Sequence, residues 1–449
     1  MLSYWSSSLF RSGQNHGKAG TSLNVPELEQ EIGIEVYATK TQGIGGRLRQ
    51  FPEDFTVEEI LTNGSRAKIE PDNIPHITGF DRYLICVLVK RNIDAFQAVQ
   101  AVANRLRVQS DRIHIGGIKD ARALTAQHVS ISRMLPEQMG EIETPKLRLY
   151  PLRFSNEKIH SDLLLGNQFC ITIRAIKQSE SDIAKRLESA SIELSKLGGC
   201  PNFFGHQRFG TTRPITHIVG KHILLGEWEE AAPTFLAKPS TFEHPRSRQV
   251  RQQLWDTRNF KDASRYFPPR LTFERSMLSH LAMRSGDFTG AFHRLPKKLC
   301  QLFVQAYQSY LFNRFLSENV RRGFLHESPT DYTYKLNLDN REYPALPLVG
   351  YQQALSNGKQ GEIEKKILKD EEVQLSSFKI PLMPEISSRG KLRTAVTPVK
   401  DLKIDASVED EANTDKRKVS LSFALIKGSY ATVLLREFMK PENPVEAGY

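Results

Sequence analysis

Apolar residues recur along this chain with two spacings, and the alternation between them divides it into strands and helices. Residues 51–60 and 82–90 read as strands. The second, Arg-Tyr-Leu-Ile-Cys-Val-Leu-Val-Lys, is nearly continuous in apolar residues, as a strand buried on both faces would be. Asp94 is placed to cap a helix whose Phe96, Val99, Val102, Ala103 and Leu106 return every three to four positions. Residues 128–132 alternate as a strand does, which leaves residues 116–126 on a loop between elements. Gly166-Asn167-Gln168-Phe169 leads into a strand over 170–176. The next helix starts near Ser181 or Asp182, carries Ile183, Leu187, Ala190, Leu194 and Leu197 on one stripe, and stops at Gly198-Gly199.

The character changes near residue 230. Pro233, Pro239, Pro245 and the basic residues Arg246, Arg248 and Arg251 interrupt the periodicity, after which helices dominate through 300–320. Residues 352–373 are polar and rich in Lys and Glu, which predicts an exposed face. Strand alternation returns with Leu421, Phe423 and Leu425, and residues 431–439 read as a last strand or helix. Residues 405–418 mix charges without apolar anchors and predict a mobile surface loop. The pattern predicts an α+β fold in two domains, a split one over 26–229 and 386–449 flanking a mostly helical insertion over 230–385.

Length agrees, since 449 residues exceed what one core normally holds. No stretch reaches the roughly 20 apolar residues of a membrane-spanning helix. Lys and Arg outnumber Asp and Glu by 62 to 51, a formal charge of +11 that suits a polyanionic partner. The four cysteines form no CxxC pair, which argues against a zinc ribbon and for reduced thiols in a cytoplasmic setting. Cys86 and Cys170 sit in apolar runs and are expected to be buried. Residues 1–25 lack acids and an amphipathic stripe, and are expected to be a disordered leader rather than a targeting segment.

Three short segments carry candidate chemistry. Gly116-Gly117-Ile118-Lys119-Asp120-Ala121-Arg122-Ala123-Leu124-Thr125-Ala126 places a carboxylate just after a flexible glycine pair. An aspartate there is ordinarily a solvated turn former. It becomes a candidate nucleophile if Lys119, Arg122 or the more distant Arg49 keeps it ionised and poised. In Asn202-Phe203-Phe204-Gly205-His206-Gln207-Arg208-Phe209-Gly210, an amide beside an aromatic ring offers a hydrogen-bonding edge and a stacking face, the two needs of an everted base. Lys427-Gly428-Ser429-Tyr430-Ala431-Thr432 is the third. Glu53-Asp54 and Glu58-Glu59 do not converge on one metal ion, because neighbours on a strand point to opposite faces. His217 and His222 are five apart, not a zinc-binding i, i+4 pair. Gly43-Ile44-Gly45-Gly46 lacks the downstream Lys-Ser/Thr of a phosphate loop.

Taken together and in this order, the segments resemble the TruD family of transfer-RNA pseudouridine synthases. Leu48-Arg49-Gln50-Phe51-Pro52-Glu53-Asp54-Phe55 is similar to the family's first block, with Arg where some relatives have Lys. Residues 117–127 resemble its Gly-x-Lys-Asp-x-x-Ala-x-Thr-x-Gln pattern, and Gln308-Ser309-Tyr310-Leu311-Phe312-Asn313 resembles a helix of its inserted domain. The resemblance implies an α+β pseudouridine-synthase catalytic domain with a mixed, mainly antiparallel sheet, interrupted by a helical TruD domain. It implies Asp120 as nucleophile, with Arg49, Phe55, Asn202, Phe204 and Tyr430 around the uridine. It also implies transfer RNA as partner, typically at position 13, with other RNAs open, and a monomer without metal or cofactor. A non-catalytic RNA-binding protein using the same basic cleft is the main alternative. A metal-dependent nuclease is a weaker one.

Overall fold

The computed structural model describes residues 23–140, 142–325, 332–336 and 341–449; of the expected leader, residues 1–22 lie outside the described residues. The first half of the chain forms β1 (Phe55–Leu61), β2 (Tyr83–Arg91), β3 (Ile113–Ile115), β4 (Leu124–Ser132), β5 (Ile142–Thr144), β6 (Leu147–Ser155) and β7 (Leu164–Ile176). Then come the two-residue β8 (Cys200–Pro201), β9 (Thr333–Lys335), β10 (Glu342–Leu348), β11 (Lys391–Thr394) and β12 (Val396–Thr397). The last strands are β13 (Lys400–Ile404), β14 (Val408–Glu409) and β15 (Arg417–Ile426). A large sheet takes the order β13-β15-β7-β1-β4-β2-β6-β5, with β3 on β4 and β14 on β15. It is mixed: β1 and β4 run parallel and the other pairs antiparallel. The α+β expectation therefore holds.

Strand β2 is buried at every position except Arg91, because β4 and β6 flank it and the helix Ala95–Leu106 covers one face. Asp94 caps that helix by accepting from the Phe96 and Gln97 amides. The buried face is the expected one at Val102 and Ala103, with Val99 and Leu106 packed beside them, but not at Phe96. Ala95, Ala98, Val102 and Ala103 turn inward, the alanines permitting close approach to the sheet, while Phe96 is 65% exposed. The helix Glu180–Lys196 buries Ile183, Leu187, Ala190 and Leu194 as the stripe predicts, capped by Ser179.

Three further expectations need correction. Cys86 is buried but Cys170 is exposed, since β7 alternates and position 170 falls on its outward face. Residues 405–418 are not a free loop. They form the hairpin into β15, held where Asp410 pairs with Arg174 at 2.9 Å and accepts from the Ala175 amide at 2.8 Å. The basic residues near 246–251 continue a helix, Pro245–Thr257, with proline at its first turn, where its missing N–H costs nothing. Arg251 is buried between Glu243 and Glu274 and faces no solvent.

The helical layer centres on Lys297–Arg322, which packs along Thr216–Leu225. One hydrophobic core runs through both this layer and the sheet face that carries β1, β7 and β15. β8 pairs with β12 and β11 with β10, so the residue after β8 sits beside the end of β11. No described helix is long and apolar enough to cross a membrane.

Candidate active site

The parallel pairing of β1 and β4 sets Thr56 beside Leu124, so the segments entering these two central strands emerge together at their N-terminal ends, on one rim of the sheet. Arg49 and Phe55 precede or open β1, and Asp120 precedes β4. This register brings residues 71 apart in sequence together without any motif linking them. Arg49 Nη2 lies 3.7 Å from Asp120 Oδ2, its Cζ stands 4.0 Å over the Phe55 ring, and its Nη1 donates to the Gly448 carbonyl at 2.6 Å. Arg49 is buried, which lowers its guanidinium, while the Asp120 charge acts the other way. The Asp120 side chain remains 42% exposed. Phe55 is buried against Phe169 and supports Arg49 instead of facing open space.

Of the three cations proposed from sequence to poise Asp120, only Arg49 is ion-paired with it. Lys119 turns inward to Glu59 and to Asn167 Oδ1, both at 2.8 Å. Burial raises the Glu59 carboxyl, yet the His128 hydrogen bond and the Lys119 charge outweigh it and leave it below its ordinary value. The other acids of that region are also taken: Glu53 by Arg91, Asp54 by Arg174, Glu58 by Arg66. Among the described residues no three His, Cys, Asp or Glu side chains form a metal-holding group. The glycine pair serves packing: a Cβ on Gly116 would stand 2.8 Å from Leu164 Cδ2.

A residue the sequence reading passed over fixes the Asp120 backbone. Lys90, fully buried near the end of β2, donates to the Asp120 and Ile93 carbonyls. Burial pushes its amine down to about 8, against the pull of Asp120 and Asp94.

A cleft of about 680 Å³ is lined by Asn202, Phe204, Arg208, Arg393, Lys427 and Tyr430 among others; Asp120 is not part of its wall. Asn202 follows β8 and is buried. Its Nδ2 donates to the Thr394 carbonyl at 3.1 Å and to Thr394 Oγ1 at 2.9 Å, and its Oδ1 accepts from Arg393 at 2.6 Å. The Phe204 backbone is held twice by one side chain: its N–H donates to Asn313 Oδ1 at 2.8 Å, and its carbonyl accepts from Asn313 Nδ2 at 3.1 Å. Its ring meets Phe312 and Tyr430 edge-on, at 5.6 and 6.2 Å.

Tyr430 occupies the position just before the helix Ala431–Met439 and meets the Phe204 ring. It lines the cleft. Burial raises its phenol, Arg208 and Arg393 oppose the rise, and Asp120 adds to it. The structure brings Arg49, Phe55 and Asp120 together, and it brings Asn202, Phe204 and Tyr430 together on the cleft wall. Arg393, from β11, is the second residue missed from sequence; its surroundings there, Gly-Lys-Leu-Arg-Thr, carry no distinguishing pattern.

Comparison with known proteins bears on this arrangement. The family model described as tRNA pseudouridine synthase D (TruD) matches residues 31–438. A protein of Methanosarcina acetivorans named Probable tRNA pseudouridine synthase D is 38% identical over 93% of this chain and 98% of its own length. A Methanococcoides burtonii protein of the same name is 35% identical with the same coverage. A crystal structure from Methanosarcina mazei, assigned to tRNA pseudouridine synthase D (TruD), superposes with a TM-score of 0.77 at 36% identity, covering 94% of this chain and 99% of that one.

Proposed function

The chain belongs to the tRNA pseudouridine synthase D (TruD) family and is a pseudouridine synthase, and from that premise we propose that it isomerises uridine 13 of transfer RNA with Asp120 as nucleophile. The observation that carries this reading is the half-exposed Asp120 carboxylate paired with the buried Arg49, in the same molecule as a cleft walled by Asn202, Phe204 and Tyr430. Arg49 is paired with a carboxylate that stays half-exposed, and the cleft wall carries an aromatic ring and an amide.

The chemistry follows from those groups. A uridine turned out of the RNA enters with its ring on Phe204 and its edge toward Asn202. The Asp120 carboxylate adds to C6 of the base or displaces at C1′ of the sugar, and the N1–C1′ bond breaks while the base stays bound. The base turns, C5 bonds to C1′, Asp120 is released, and the C5 proton passes to water. N1, freed from the sugar, takes up a proton from water in exchange for the one lost at C5, so the product is an isomer of the substrate and the balance needs no co-reactant. We also keep the division into a catalytic body over 26–229 and 386–449 and an inserted unit over 230–385 as a proposal, with the contact between Thr216–Leu225 and Lys297–Arg322 as its junction.

Transfer RNA carrying uridine tritiated at C5 tests the reaction. Wild-type protein is expected to release tritium to water and Asp120→Asn to lose at least about 10³-fold in rate while binding the RNA. Full activity in Asp120→Asn sinks the assignment.

A further inference from the structure

Three buried arginines of this protein are neutralised by acids: Arg174 by Asp54 and Asp410, Arg251 by Glu243 and Glu274, Arg436 by Glu29 and Glu437. The two that flank Phe204 differ. Arg393 places its Cζ 4.0 Å from the Phe204 centroid and donates to the Asn202 carbonyl at 3.1 Å, Asn202 Oδ1 at 2.6 Å and the Gly428 carbonyl at 3.0 Å. Arg208 lies 5.7 Å from the same ring and donates to Ser309 Oγ and Gln305 Oε1, both at 3.1 Å. All these acceptors are neutral, and among the described residues no carboxylate is ion-paired with either guanidinium. Burial pushes Arg393 down to about 10, and repulsion from Arg208 adds to it.

Two consequences meet at Arg393. A desolvated cation bonded only to neutral oxygens keeps an unspent attraction for an anion. A planar group stacked on a phenyl face and bonded to an adjacent amide also makes the same two contacts that a nucleobase would make there. We infer that Arg393 is a placeholder, filling the base slot in the RNA-free protein and moving onto a backbone phosphodiester, beside Arg208, as the everted base takes its place on Phe204. The inference rests on the proposed role of Phe204 as the base platform. Arg389, Lys391 and Lys427 line the same cleft, so the phosphate arrives in a positive field. Base entry is then coupled to capture of the backbone: a free nucleobase lacks the anion that draws the guanidinium off the ring.

The test is the structure of full-length Asp120→Asn bound to transfer RNA that carries the target uridine. The expected result has uracil on Phe204 and the Arg393 guanidinium on a phosphate. Uracil on Phe204 with Arg393 still on the ring and on Asn202 Oδ1 overturns the placeholder and spares the proposed function. Uracil bound away from Phe204 overturns the reading beneath both. A second measurement leaves the crystal aside. Arg393→Met, shown folded by its melting curve, is expected to bind the RNA about tenfold more weakly near 0.1 M salt. Its log–log salt slope should be shallower by about one, with Arg393→Lys restoring the slope. A slope equal to wild type overturns the phosphate contact, because loss of support for Asn202 and Phe204 alone leaves it unchanged.

Discussion

At the sheet rim, Asp120 faces Arg49, and Arg49 is fastened in turn by the Gly448 carbonyl and the Phe55 ring. On the cleft wall, Arg208 and Arg393 both lie against the Phe204 ring, and among the described residues no acid is paired with either. The first half has its charges settled before RNA arrives, which suits a group that must sit in one position for bond-making. The second half is left in electrostatic debt to a polyanion, which suits recognition. On the proposed function, the two halves divide the labour: fixed geometry at the proposed nucleophile, unsatisfied charge at the proposed base platform.

Substitutions can break that contrast, and the largest effect belongs to the settled half. Arg49→Met is expected to lower single-turnover rate about 10²-fold while changing transfer-RNA affinity little, since it removes the cation paired with Asp120, the proposed nucleophile. A change in affinity with the rate intact would reverse the two halves. Phe204→Ala is expected to weaken binding roughly tenfold, within the range for one base stacked on an aromatic ring, as read by equilibrium titration. The smallest effect concerns Lys90. Its folded value of about 8 lies below the ordinary lysine range, so above pH 8 the unfolded chain binds more protons than the folded one. Stability contributed through Lys90 thus rises as pH climbs from about 8 to about 10. Urea titrations should show wild type gaining on the order of 1 kcal/mol over Lys90→Met across that window. A difference that stays flat or shrinks with pH contradicts a buried, reluctantly charged amine.

What the sequence disclosed follows the range over which its signals act. Asn202, Phe204 and Asp120 stand in short motifs whose residue types announce a chemistry, and β2 shows its burial in an unbroken apolar run. Lys90 hid at the end of that run, where a lysine reads as the strand's exit into water. Only the turn holding Asp120, packed back on it, reveals the partner carbonyls. Arg393 lies 191 residues from Asn202, and its role arises from the pairing of β8 with β12, a register that no local periodicity encodes. The hairpin over residues 405–418 was misread for a similar reason: its anchor is not an apolar residue but Asp410, whose partner Arg174 comes from another strand. Phe96 shows the opposite failure, where helical spacing was right but small alanines won the contact with the sheet.

The grip of Asn313 on both backbone groups of Phe204 has a practical consequence. The aromatic platform takes its position from the long helix Lys297–Arg322, although its own segment enters from the sheet. Trimming the helical layer to make a smaller enzyme would unseat that ring even if every deleted side chain were remote from the RNA. Redesign of the proposed base platform would likewise begin on this helix, where shifting one asparagine re-aims the Phe204 ring.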